Sequence, residues 1–178
     1  MRIISGTYRG RKLKPSHLQH TRPTTDFARE GLFNMLNNRL DLEELEVLDL
    51  YSGTGAIGIE LISRGVKSAV VVDNDRQSVK HIAKVKSEWE IDNLEIVKGD
   101  ALSYIERCGI QFGLIFADPP YTSDHAVTVV EICHKRNLLL PGGLLVVEHD
   151  KHQNFSKTEG FAERRNYGKV NFSFFRFS

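Results

Sequence analysis

The chain is poor in cysteine and contains no long apolar run. Its two cysteines, Cys108 and Cys133, lie far apart and form no CxxC pair, which argues against a metal site or a disulfide framework and favours a reducing cytoplasm. No apolar run approaches the roughly 20 residues that a membrane helix needs. The first residues also lack the apolar segment of a secretion signal. We therefore expect a cytoplasmic protein with no membrane partner and no bound metal.

Acidic residues are missing from the first 25 positions, although the whole chain is nearly neutral with a net charge of +1. This segment carries six cations and hence a charge of +6, which leaves −5 for the remainder. A basic segment on such a body indicates contact with a polyanion, and we favour nucleic acid over an ordinary solvated surface. The six cations are Arg2, Arg9, Arg11, Lys12, Lys14 and Arg22.

The length suits one domain that spans the whole chain, with an N-terminal extension at residues 1–40 and a core at residues 41–178. Two short extended pieces around glycines in residues 3–13 predict a β-hairpin. A helix capped by Thr24 or Thr25 should follow, because apolar residues recur there at helical spacing. The extension is thus predicted to be a basic hairpin plus a helix.

From residue 46 onward, short apolar runs alternate with helical patterns, which is typical of a mostly parallel sheet covered by helices. Pro141–Gly143 should break the chain before the last parallel strand. The tail differs, because two extended segments at 162–166 and 169–177 are joined with no room for a crossover helix. Such a pair must be antiparallel. The predicted fold class is therefore α/β, with a mostly parallel sheet that ends in an antiparallel hairpin.

A glycine loop follows the first strand of this pattern. Gly53, Gly55 and Gly58 satisfy GxGxxG, the fingerprint of dinucleotide-binding sites. Asp73 ends the next strand and is placed to bind ribose hydroxyls, either of NAD or of S-adenosylmethionine. On these features alone a dehydrogenase stays open.

Asp49 favours S-adenosylmethionine over a dinucleotide. It stands four residues before Gly53, where a carboxylate would repel a pyrophosphate but attract the ammonium and sulfonium of S-adenosylmethionine. Asp100 follows the third strand and can accept a hydrogen bond from an adenine amino group or cap a helix, and these two roles are compatible. We therefore predict that both carboxylates contribute to a cofactor site.

The tetrapeptide Asp118-Pro119-Pro120-Tyr121 directly follows an apolar run that predicts a buried strand. Asp118 and the Pro119 carbonyl can accept hydrogen bonds from a planar amine, and Tyr121 offers a ring for stacking. The alternative is a rigid corner with an Asp cap. Four acids after four successive strands would share one rim of the sheet, and this coincidence favours a site over a corner.

Five motifs resemble the class I S-adenosylmethionine-dependent methyltransferases and, more closely, the RsmD (YhhF) family. They are RIISG at 2–6, YRGRKL at 8–13, RPTTD at 22–26, DLYSGTG at 49–55 and DPPY at 118–121. The resemblance covers essentially the whole chain. It implies a Rossmann-like, seven-stranded sheet whose last two strands come from the tail. It also implies methylation of the exocyclic N2 amine of a guanine in bacterial small-subunit (16S) ribosomal RNA.

The site residues follow from the motifs and the resemblance together. The catalytic set is Asp118, Pro119, Pro120 and Tyr121. The residues expected to bind S-adenosylmethionine are Asp49, Tyr51, Ser52, Gly53, Gly55, Asp73, Asn74, Asp100 and Ala101. The residues expected to hold RNA phosphates are Arg9, Arg11, Lys12 and Arg22. The family often has Phe-Ala at positions 51–52 and Glu at position 73, changes that preserve the expected chemistry.

Several points stay open in the sequence. Either Asp118 or water could take the proton released from the amine. His125 is interpreted as a surface-loop residue, and the cations of the tail are assigned equally to RNA or to solvent. The partner is expected to be ribosomal RNA or the small ribosomal subunit, including a partly assembled one. An adenine-N6 methyltransferase and a non-catalytic RNA-binding module of the same fold remain the rival functions.

Overall fold

The computed structural model describes residues 1–13 and 25–177. Five helices and seven strands form within this part of the chain. The helices are α1 (Asp26–Asn37), α2 (Ala56–Ser63), α3 (Arg76–Glu88), α4 (Ala101–Arg107) and α5 (His125–Lys135). The strands are β1 (Glu46–Leu50), β2 (Ser68–Asp73), β3 (Leu94–Lys98), β4 (Phe112–Ala117), β5 (Leu139–His149), β6 (Phe161–Tyr167) and β7 (Val170–Phe175).

The strands form one seven-stranded sheet in the order β3-β2-β1-β4-β5-β7-β6. The first five strands pair in parallel, and β7 pairs antiparallel with both β5 and β6. This confirms the predicted parallel sheet with an antiparallel hairpin at its end. Because helices connect the parallel strands, all of these strands end at the same edge of the sheet, which we call the carboxyl edge.

Helices cover both faces of the sheet. One buried core joins α1, α2 and α3 to side chains such as Val71 and Phe116. The other joins α4 and α5 to side chains such as Val72 and Ile115. Neighbouring residues of one strand thus enter different cores, as the alternation of strand side chains requires. Among the described residues, no helix is both long enough and apolar enough to span a membrane.

The N-terminal extension is shorter in regular structure than the sequence predicts. Its predicted β-hairpin is reduced to one antiparallel bridge between Arg2 and Lys12, and turns occupy the residues between them. The inward side chains of this bridge region, Ile3 and Leu13, are nevertheless buried in the first core. The helix cap is confirmed, since Thr25 accepts a hydrogen bond from the amide of Ala28.

A buried carboxylate fastens the extension to the core. Glu60 of α2 accepts hydrogen bonds from the amides of Ile4 (2.7 Å) and Ser5 (3.0 Å). It also pairs with the guanidinium groups of Arg29 in α1 and Arg64. Two guanidinium groups and two amides thus neutralise and solvate a carboxylate that is removed from water, as a buried charge requires.

Gly6 brings the extension against the end of α2. Its backbone is left-handed, with φ +79°, and a Cβ placed there would lie 1.7 Å from the Ser63 carbonyl oxygen. The neighbouring amide of Thr7 donates to that same carbonyl at 2.8 Å. Only glycine combines this conformation with such a close approach.

Strand β5 corrects the predicted break at Pro141–Gly143. The strand already begins at Leu139 and runs through these residues, while the register against β4 shifts between Phe112 and Leu114. The proline and the glycines therefore lie in an irregular stretch of a continuous strand, where a missing ladder hydrogen bond and an unusual backbone are tolerated.

Candidate active site

Four carboxylates lie at the carboxyl edge of the sheet. Asp49 is the penultimate residue of β1, Asp73 is the last residue of β2, and Asp118 directly follows β4. Asp100 follows β3 and caps α4. The structure therefore places them along one rim, the location that ligands favour in open parallel sheets.

Asp49 is buried beneath the glycine loop. Its carboxylate accepts the amide hydrogen of Gly58 at 2.9 Å, and a Cβ at Gly58 would lie 2.5 Å from Val71. Burial raises the pKa of Asp49 to about 7, the Gly58 hydrogen bond opposes this change, and the charge of Asp73 adds to it. A group of positive charge placed nearby would return this carboxyl to its ionised form.

Asp73 holds the other end of the glycine loop. Its two oxygens accept the amide hydrogens of Gly53 (2.7 Å) and Asp75 (2.8 Å). The predicted ribose contact would use the remaining lone pairs of the same carboxylate. Asn74, the next predicted cofactor residue, is exposed.

Two side chains between Asp49 and Gly53 face different surroundings. The hydroxyl oxygen of Ser52 is buried and has no hydrogen-bond partner among the described residues. Tyr51 has a left-handed backbone with φ 59°, a strained conformation for a bulky residue. Its hydroxyl lies 3.1 Å from Nδ1 of His125, and burial raises the pKa of Tyr51. The loop thus holds an unsatisfied hydroxyl and a strained tyrosine, features that concentrate at binding sites.

Asp100 is the N-cap of α4, one of its two predicted roles. Its carboxylate accepts the amide hydrogen of Ser103 at 2.8 Å, and this bond lowers the pKa of Asp100. Ala101, the first residue of the helix, is buried. The cap leaves Asp100 exposed and ionised at the rim, where it stays available to a donor from a ligand.

The DPPY corner continues the path of β4. The amide of Asp118 donates to the Leu50 carbonyl of β1 at 3.3 Å. Pro119 is buried, whereas Pro120 and Tyr121 are exposed. Burial, then the charge of Glu148, then that of Asp49, raise the pKa of Asp118 well above its usual value. The corner therefore carries a carboxyl group surrounded by negative charge.

Glu148 is a site residue that the sequence analysis missed. It is buried in β5, next to the DPPY corner, and its Oε1 accepts the hydroxyl hydrogen of Tyr121 at 2.7 Å. Because Ala117 pairs with Val147, Asp118 and Glu148 come next in the same register and share a face of the sheet. Burial and the negative charge of Glu148 raise the pKa of Tyr121. An acid at the end of the apolar run 144–147 was the available signal.

The comparisons with known proteins agree with this geometry. The family model described as Conserved hypothetical protein 95 matches residues 1–176. The chain is 31% identical over 150 residues to ribosomal RNA small subunit methyltransferase D of Escherichia coli, covering 84% of this chain and 75% of that protein. It is 32% identical over 164 residues to YlbH of Bacillus subtilis, covering 90% and 88%. The chain belongs to the RsmD family of methyltransferases.

A solved structure of the same family supports the fold. The YhhF protein of Escherichia coli superposes with a TM-score of 0.86 at 27% sequence identity, covering 98% of this chain and 96% of that one. The predicted Rossmann-like methyltransferase fold is therefore confirmed along the whole chain, with the N-terminal extension included.

His125 corrects a second expectation within this RsmD-family site. It is the first residue of α5, rather than a loop residue, and it is half-buried beside Tyr51. The two rings tilt by 35° with their centroids 5.9 Å apart. The contact joins residues 74 positions apart, so no local pattern could have indicated it.

The predicted RNA cations lie away from the carboxyl edge. Arg9, Arg11 and Lys12 are exposed, and Arg11 lies over the Trp89 ring at the end of α3. Because α3 runs from the carboxyl edge back to the start of β3, Trp89 marks the opposite edge of the sheet. The fourth predicted cation, Arg22, lies outside the described residues.

Proposed function

We propose that this protein transfers the methyl group of S-adenosylmethionine to the exocyclic N2 amine of a guanine in small-subunit ribosomal RNA. One observation carries the proposal: Asp49, Asp118 and Glu148 lie at the ends of three adjacent strands, on one face of the sheet, beside the exposed ring of Tyr121. Such a site attracts positive charge and presents acceptors to an amine. Membership of the RsmD family supports the choice of reaction and of RNA.

The glycine loop fits the methionine end of S-adenosylmethionine. Asp49 would attract the ammonium group, and the unpartnered Ser52 hydroxyl would gain a polar partner. Gly53 and Gly55 would allow the backbone to approach, while Asp73 and Asp100 would accept hydrogen bonds from the ribose and the adenine. Tyr51, Asn74 and Ala101 would complete the lining. When bound, the cofactor supplies an electrophilic methyl group on a sulfonium.

Asp118 and the Pro119 carbonyl would hold the target amine. A guanine amine is a weak nucleophile because its lone pair is delocalised into the ring. Two acceptors on its two N–H groups would turn that lone pair toward the methyl group and offset the positive charge that develops on nitrogen. The carbon–sulfur bond breaks as the carbon–nitrogen bond forms, and the amine then loses one proton. The raised pKa of Asp118 suits it to accept that proton.

The ring of Tyr121 would stack on the target base. It is 40% exposed, and the bond to Glu148 fixes its hydroxyl end at 2.7 Å. A ring anchored at one end and open on a face can receive a base that has left its helix or loop. Pro120, exposed beside it, would restrict the corner to one conformation.

Asp118→Ala tests the assignment of the amine acceptor. Because the side chain would contact the amine and not the cofactor directly, we expect methyl transfer to fall by at least 10³-fold. Binding of S-adenosylmethionine, measured by calorimetry, should change by less than about 3-fold, since Asp49 remains. Transfer at the wild-type rate would refute the proposed role, and loss of cofactor binding would place Asp118 in the cofactor site instead.

A further inference from the structure

We propose that a second RNA contact lies on the edge of the sheet opposite the DPPY corner. Its surface consists of Arg2, Tyr8, Arg11, Lys12 and Trp89, and we call it the anchor surface. This inference rests on the proposed function for the identity of the RNA. It adds that the substrate is an RNA large enough to reach both edges of the protein at once.

Two helix ends fix the position of the anchor surface. Trp89 caps the C-terminus of α3, and its ring centroid lies 5.5 Å from that of Tyr8. The amide of Tyr8 donates to the Ser63 hydroxyl at 2.9 Å, and Ser63 ends α2. Both helices start at the carboxyl edge and run away from it. The 13 residues of α3 at about 1.5 Å each separate the two edges by about 20 Å.

Like charges face each other on this surface. Arg2 and Lys12 form the antiparallel bridge, and the flanking hydrogen bonds run from Ile3 to Arg11 and from Leu13 to Met1. This pattern makes Arg2 and Lys12 a non-hydrogen-bonded pair, the type that brings opposite side chains closest. Two cations so placed destabilise the free protein. A phosphate between them would remove that repulsion.

Arg11 is held in a position that suits phosphate binding. Its guanidinium lies 5.3 Å from the Tyr8 ring centroid and 5.2 Å from the Trp89 ring centroid. Stacking on aromatic rings restrains a guanidinium while leaving its edge donors free to bind a phosphate in a bidentate manner. The side chain is exposed, so an RNA strand can reach it.

A remote anchor separates affinity from chemistry. A target nucleotide in the DPPY corner cannot touch cations about 20 Å away, so only a longer or folded RNA profits from both contacts. Losing the anchor should therefore weaken binding of the whole RNA without slowing transfer to a bound fragment.

The test uses the full chain with two RNA substrates. One is intact small-subunit ribosomal RNA, free or in the ribosomal particle, from cells that lack the protein. The other is a fragment limited to the methylated nucleotide and its immediate neighbours. Lys12→Glu is the anchor variant. Lys135→Glu is the matched control, because Lys135 is an exposed lysine at the C-terminal end of α5, which also runs away from the carboxyl edge but on the other face of the sheet. Arg11→Lys keeps the charge but weakens the stacking.

Lys12→Glu should weaken binding of the intact RNA on the order of 10-fold and reduce its salt dependence, while turnover on the fragment stays at the wild-type level. Lys135→Glu should change neither, and Arg11→Lys should have an intermediate effect on the intact RNA. Equal losses on both RNAs, or equal losses in the control, would overturn the anchor. Unchanged binding in Lys12→Glu would do the same. Binding is measured without the methyl donor, so a failure of the proposed reaction would be seen separately, as absent turnover by the wild-type protein.

Discussion

Asp49 retains its proton to a much higher pH than an ordinary aspartate, and this property links cofactor binding to pH. With a pKa of about 7 against 3.8 for a free side chain, the folded protein holds a proton that the unfolded chain has lost. The stability that this proton contributes is complete below about pH 4 and is lost as the pH rises through 7. A cationic ligand would oppose this loss, because it favours the ionised form.

We therefore predict that binding of S-adenosylmethionine near pH 7 releases a fraction of one proton from Asp49. Affinity should rise with pH through the same range. The release can be measured by calorimetry in two buffers of different ionisation enthalpy, and Asp49→Asn is the control that should abolish it while weakening binding. Identical heats in both buffers for the wild-type protein would contradict this account of the site.

Glu148 acts on the site through Tyr121 and Asp118, and its effect can be separated into these two parts. Tyr121→Phe removes the hydroxyl bond but keeps the ring, and we expect turnover to fall about 10-fold because a bond to a charged group contributes about 1.5–3 kcal/mol. Glu148→Gln keeps an acceptor for the hydroxyl but removes the charge that raises the pKa of Asp118.

For Glu148→Gln we expect the rise of kcat/KM with pH to move to lower pH, since Asp118 then ionises more easily. A pH profile of methyl transfer for the wild-type protein and both variants checks this. A profile that stays in place in Glu148→Gln, together with full activity in Tyr121→Phe, would show that Glu148 serves only the packing of β5.

The helices and strands of the core follow closely from local patterns. Thr25 caps α1 as its sequence indicates, and the apolar runs become buried strands because parallel strands have both faces covered. The extension and β5 were less predictable, because their structure depends on distant partners. Glu60 binds amides 55 and 56 residues away, and the stretch at Pro141–Gly143 is held as strand by its neighbour β4.

The candidate site divides in the same way. The four aspartates could be predicted, because each directly follows or ends an apolar run and the carboxyl ends of parallel strands meet at one edge. The pair Tyr121 and Glu148 could not, since it requires that β4 and β5 be adjacent and in register. The left-handed backbone of Tyr51 likewise depends on its surroundings and has no signal in its residue type.

The attachment of the extension to α2 provides a stability prediction. Glu60→Ala would leave the buried Arg29 guanidinium without its main carboxylate partner, and we expect the free energy of unfolding to fall by about 3–5 kcal/mol. Urea denaturation measures this change. Lys67→Ala, which breaks the exposed pair with Glu46, is the matched control and should cost at most about 1 kcal/mol. Similar losses in the two variants would show that the Glu60 cluster does not hold the extension.

The molecule as a whole separates its charges. Acidic groups gather at the carboxyl edge, where the methyl donor and the amine would meet, while the exposed cations of the extension lie at the opposite edge. A negative site does not attract RNA by itself, so the remote cations would supply the attraction to the phosphate backbone. This division accounts for a near-neutral chain whose first 25 residues carry a charge of +6.

The identity of the methylated nucleoside tests the central claim most directly. Small-subunit ribosomal RNA is purified from cells with and without this protein, digested to nucleosides and analysed by mass spectrometry. We predict that N2-methylguanosine decreases when the protein is absent, and that the wild-type chain restores it whereas Asp118→Ala does not. Unchanged N2-methylguanosine, or a loss of N6-methyladenosine in its place, would contradict the proposed function.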